Sequence, residues 1–145
     1  MFSSKKAPET VPAHQYDTSS DDVTKILLKM SNTDISYLGK IEPVIKKNLQ
    51  EITNDFYTRL TSVPEIKLFI EKHSSIERLK QTFRDFLSMT YQTTIDKNYI
   101  AKIYKIGEVH NRIKLPAEWF SMSFGLLEQI IYPYIFEYYK KAMRI

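Results

Sequence analysis

The sequence predicts an all-α protein, and three observations lead there. Only three glycines occur in 145 residues, and isoleucines are threaded through segments rich in Lys and Glu. Apolar residues return every three or four positions along most of the chain. No stretch alternates polar and apolar residues as a half-buried strand does.

Residues 1–20 are rich in Ser, Thr, Pro and Asp without periodicity, so a flexible segment is expected there. Helical patterning begins near Asp21 with Val23, Ile26, Leu27 and Met30. Ser31-Asn32-Thr33-Asp34 supplies a break and a helix cap, after which Ile35, Leu38 and Ile41 resume the pattern. Pro43 suits a helix start, and Val44 to Leu60 carries Ile45, Leu49, Ile52, Phe56 and Leu60 on one side.

Pro64 opens a short helix through Ile70. Ser74-Ser75-Ile76-Glu77 reads as a capping box for a helix that turns Leu79, Thr82, Phe83, Phe86 and Leu87 inward. Another helix is expected from about Asn98 to Ile113. Pro116 starts the last one, which Pro133 should kink or loosen before the tyrosine-rich stretch Tyr132 to Tyr139.

The chain is of a length for one domain that buries roughly two-thirds of its unfolded surface. Its net charge of +4 invites a nucleic-acid reading, but the basic residues are interleaved with acids, as in Glu77-Arg78-Leu79-Lys80. The clusters Lys46-Lys47 and Lys140-Lys141 with Arg144 read as solvated helix faces, so no nucleic-acid partner is expected. Met1 to Lys6 is not followed by an apolar core, and the most apolar stretch, 125–136, is short and interrupted by Glu128 and Gln129. No secretory signal and no membrane span are therefore expected, and a cytoplasmic protein is. With no cysteine, disulfides and thiolate-held metals are excluded.

One histidine then stands out. His14 lies in the polar N-terminal stretch and His73 at a break between helical patterns. His110 falls late in a well-patterned helix, with Ile103, Ile106 and Ile113 at helical spacing and Gly107 three residues before it. An imidazole on an apolar face, beside a residue that admits close approach, suits a fifth ligand to haem iron. The ordinary alternative is a core or edge histidine making one hydrogen bond. For Tyr57 the alternative is a core tyrosine, and for Thr82 a hydroxyl bonded to a carbonyl one turn earlier.

Three blocks change that balance: Asn54 to Leu60, His73 to Thr82, and Ile106 to Ile113 continuing through Trp119-Phe120. Together, from about Asp34 to Leu127, they resemble the sensor globins of the globin-coupled sensor family, and most closely the N-terminal domain of haem-based aerotaxis transducers (HemAT type). The resemblance implies a globin fold with an extra N-terminal helix over residues 21–145, and haem b as cofactor. It implies that His110 is the proximal ligand to iron, that Tyr57 is the distal hydroxyl for dioxygen, and that Thr82 is a second distal polar residue. Leu79 would be an apolar wall of the pocket, Phe56 a ring packed on the macrocycle, and His73 a group at the haem edge. The inner faces would add Leu60, Phe83, Ile103 and Ile106, with Gly107 and Trp119 completing the site.

The chain departs from the family pattern at Lys114, where the family has glycine, and at Pro116, where its proline comes one place later. Altered loop geometry is expected at that corner. The chain ends about where the family's final long helix begins, so a truncated final helix and a missing output region are also expected.

The resulting expectation is a gas sensor rather than an enzyme, binding dioxygen or another diatomic gas and pairing as a homodimer through its C-terminal helices. A hydroxyl donor to a polarised ligand contributes on the order of 1–1.5 kcal/mol, about a factor of ten in affinity. Two alternatives stand beside it. A haem peroxidase or dioxygenase wants a base and a cation over the iron, which Tyr57 and Thr82 do not supply. A haem-free globin-like interaction module would keep the shape alone. Tyr132, Tyr134, Tyr138 and Tyr139 fit either core packing or a dimer contact.

Overall fold

The computed structural model describes residues 31–92 and 95–144, and these form a bundle of α-helices with no strand among them. The flexible segment expected over 1–20, and the extra helix expected from Asp21, lie outside the described residues. Six helices follow one another: α1 Asn32–Lys47, α2 Leu49–Thr61, α3 Pro64–His73, α4 Ile76–Thr90, α5 Lys97–Arg112 and α6 Ala117–Met143.

α1 begins with a full capping box. Ser31 Oγ accepts from the Asp34 N–H at 3.3 Å, while the Asp34 carboxylate accepts from both the Ser31 N–H and hydroxyl at 2.7 Å. Those bonds hold the Asp34 carboxyl below its ordinary pKa, the backbone bond contributing most. The second expected box is absent at Ser74–Glu77. Ser74 closes α3, its N–H bonded to the Ile70 carbonyl, so the cap of α4 moves one residue on to Ser75, which accepts from Arg78 N–H at 3.3 Å.

Pro43 does not start a helix; it lies inside α1. Proline leaves the carbonyl four residues earlier, that of Gly39, without its helical donor. Both residues are exposed, so water can take that place. The break comes instead at Asn48, whose side-chain amide donates to the Val44 carbonyl at 2.7 Å and whose backbone N–H donates to Ile45. Pro133 also lies inside a helix, α6, which continues on both sides of it, and it too is exposed. Pro64 opens α3 as expected, and Asp96 caps α5 by accepting from Tyr99 N–H at 2.9 Å.

α2 is the centre of the bundle. It packs most extensively on α4 and also meets α3 and α6, while α1 lies against α6 and α4. The buried core is correspondingly drawn from Ile45 of α1, Ile52, Phe56 and Tyr57 of α2, Leu87 of α4, and Leu127, Ile130 and Ile131 of α6. α5 differs from the rest. It makes only slight contact with any other helix, and none of its residues is buried.

α5 ends in a Schellman motif. The Leu115 N–H donates to the His110 carbonyl at 3.1 Å and the Lys114 N–H to Asn111 at 3.0 Å. That closure needs a left-handed residue, and Lys114 supplies it at φ 55°. The lysine thus adopts the backbone that a glycine favours, at a cost of roughly 1 kcal/mol. Lys114→Gly is expected to raise thermal stability by about that amount. A melting temperature that stayed level or fell would show that no such strain is present.

Candidate functional site

The site is built around the last two turns of α5. His110 is half-buried, and its Nδ1 lies 2.8 Å from the Ile106 carbonyl oxygen, one turn earlier. A carbonyl can only accept, so Nδ1 carries a proton, and in the neutral imidazole Nε2 keeps its lone pair. This bond fixes both tautomer and ring orientation, as a backbone carbonyl does for a metal-ligating histidine. The same residue's own carbonyl is held by Leu115, so His110 is tethered through side chain and main chain together.

The surroundings of α5 suit a large flat apolar group. The helix carries Ile100, Ile103, Ile106 and Val109, with Ile113 at its C-cap, yet none is buried, and Ile103 is 38% exposed. A Cβ built on Gly107 would meet nothing within 4 Å, so the backbone there is open to close approach. Among the described residues no three His, Cys, Asp or Glu side chains gather as a metal cluster. A lone imidazole holds a metal ion well only where a macrocycle supplies the other donors. The open apolar side of α5 and the free Nε2 together fit haem. On the α6 side, the Phe120 ring lies 5.0 Å from the imidazole and Phe124 packs on Phe120.

A second group forms on α2 and α4. Phe56 stacks on Phe83 at 4.3 Å and 12°, and Tyr57 meets both rings edge-on at 5.4 and 5.7 Å. Leu60 and Leu79 pack against the same core while remaining half-buried. Tyr57 is the polar member. Burial pushes its phenol up to about 12, and no other cause contributes, so the hydroxyl stays protonated at any physiological pH. Thr82 lies on the exposed side of α4, its hydroxyl donating to the Arg78 carbonyl at 3.0 Å.

The remaining expected residues fall in a third group. His73, the exposed last residue of α3, packs on Phe69 at 4.6 Å, and Phe69 meets Trp119 edge-on at 5.8 Å. Trp119 and Leu60 also line one open, largely apolar cavity of about 200 Å³ beneath the start of α6. No hydrogen bond or ring contact joins these three groups to one another among the described residues.

Two features escaped the sequence reading. Phe120 sits against the imidazole, although only its place beside Trp119 drew notice. Thr53 is fully buried on α2, and its hydroxyl has no hydrogen-bond partner among the described residues. An unpaired hydroxyl costs about 1–3 kcal/mol, so its persistence calls for a reason. The one available signal was its place four residues before Tyr57.

Comparison with known proteins adds an independent line. The family profile described as Protoglobin matches residues 21–144. Among solved structures, the chain is similar to the globin domain of a Geobacter sulfurreducens globin-coupled sensor, at 25% identity and a TM-score of 0.73. That match covers 80% of this chain and 76% of the other.

Proposed function

Because the chain belongs to the protoglobin family and has the all-α fold of a sensor globin, we propose that it is the gas-sensing domain of a haem-based signalling protein. The observation that carries this reading is the His110 Nδ1 contact with the Ile106 carbonyl, which leaves Nε2 to hold iron. Haem b held there would supply the ferrous centre that binds dioxygen or another diatomic gas.

Everything else is the work of side chains. Ile103, Ile106 and Gly107 line the open side of α5, and Phe56, Leu60, Leu79 and Phe83 give the apolar wall on α2 and α4. Tyr57, kept neutral by burial, is the hydrogen-bond donor for a ligand that takes on negative charge. Thr82 is the second polar group in this reading, provided that its hydroxyl leaves Arg78. His73 and Trp119 sit at the edge. The domain would run over residues 21–145.

The same reading includes a cytoplasmic location, no enzymatic turnover, and an output region of aerotaxis type outside this chain. It also includes a homodimer through the C-terminal helices, supported by Met122, Tyr132, Phe136 and Met143, each at least 60% exposed along α6. Tyr134 has another engagement, its hydroxyl donating to Glu51 at 3.3 Å. No described helix is long and apolar enough to cross a membrane.

The test is optical. The full chain supplied with haemin and then reduced should show a five-coordinate histidine-ligated spectrum that changes reversibly on admitting air. A colourless protein that refuses haemin would favour the haem-free module instead.

A further inference from the structure

Among the described helical threonines Thr53 alone is buried; Thr33 and Thr58 also lack a side-chain hydrogen bond within the protein, but both are exposed to water. Thr61, Thr82 and Thr90 each donate to the carbonyl one turn earlier, at 2.7, 3.0 and 2.8 Å. A helical threonine has two favoured rotamers, and one of them makes this bond. Thr53, with 0% exposure, is more buried than any of those three, yet its Oγ1 makes no such bond. Solvent does not reach it either, so the hydroxyl is left without either ordinary remedy.

Its neighbours are the residues of the gas site. Thr53 lies three residues before Phe56 and four before Tyr57, so all three share one face of α2. Long helical side chains lean back over the preceding turn, which brings the Tyr57 ring over the turn that holds Thr53. Any shift of Tyr57 therefore changes what surrounds that hydroxyl.

We propose that Thr53 is a positioning residue that acts through Tyr57, a reading that rests on the haem-sensor function above. The ligand-free packing leaves the Thr53 hydroxyl unpaired, and the rearrangement of Tyr57 that accompanies gas binding gives it a partner. The unpaired hydroxyl thereby biases the protein toward the gas-bound arrangement, since it destabilises only the other one.

Thr53→Val, nearly isosteric, removes the hydroxyl and keeps the shape; Thr53→Ser keeps the hydroxyl. The valine variant of the full chain is expected to melt at a higher temperature than wild type when no gas is bound. With haem and dioxygen its affinity should fall about five-fold, the serine variant staying near wild type. Carbon monoxide, a poor hydrogen-bond acceptor, should bind all three equally, whereas a mere packing defect would move both gases. In a Tyr57→Phe background the valine substitution should change dioxygen affinity no further. A lower melting temperature for Thr53→Val, an unchanged dioxygen affinity, or a full additive effect in the Tyr57→Phe background would each overturn the proposal. A chain that takes up no haem at all would instead sink the reading on which it rests.

Discussion

His110→Ala is expected to abolish stable haem retention, lowering affinity by at least about 100-fold, or roughly 2.7 kcal/mol. The reason is that no other described side chain is placed to serve. His73 sits exposed at the end of α3 against Phe69, in a different group of contacts. The remaining attachment would be apolar contact with α5, α2 and α4, which holds a macrocycle without defining its axial ligand. Free imidazole added to the alanine variant should restore a histidine-like spectrum by entering the vacated space. The Ile106 carbonyl would still be present to orient it. A His110→Ala protein with wild-type uptake and an unchanged spectrum would remove this residue from the site.

Tyr57→Phe should speed dioxygen release about ten-fold, the equivalent of the 1–1.5 kcal/mol of one hydrogen bond, while carbon monoxide release barely changes. Packing cannot produce that contrast, because the phenyl ring keeps the edge-on contacts with Phe56 and Phe83. The same residue predicts an alkaline effect. A phenol raised to about 12 in the fold, against about 10 in the unfolded chain, binds its proton more tightly when folded. Its contribution to stability is therefore complete below pH 10 and lost as pH rises toward 12. Denaturant unfolding followed from pH 9 to 12 should show a loss about 2 kcal/mol larger in wild type than in Tyr57→Phe. An equal loss in both proteins would assign it elsewhere; Tyr91 and Tyr99, also raised by burial, are the next groups to replace.

The helices were readable because their apolar spacing and caps act over a few residues. Pro64 and the Ser31–Asp34 pair open helices where they were expected to. Pro43 misled because the penalty for an internal proline depends on whether the freed carbonyl can find a donor. Exposure settles that, and exposure is a tertiary property. The shift of the α4 cap from Ser74 to Ser75 has a similar origin, since the closure of α3 had already engaged Ser74. At the candidate site, spacing placed His110 beside Ile106, and the resemblance singled out Tyr57. Neither could reveal which hydroxyls would be engaged. Thr53 and Thr82 look alike in sequence, but one is sealed in the core and the other lies at the surface on its own helix.

The corner after α5 has a mechanical consequence. From the His110 oxygen a hydrogen bond runs to Leu115, and the next residue, Pro116, gives its oxygen to the amides of Trp119 and Phe120. Phe120 then returns to rest on the imidazole, closing a loop in which every joint is bonded or in contact. A tug on the ring would therefore load the opening turn of the longest helix first, through both the main chain and the Phe120 ring.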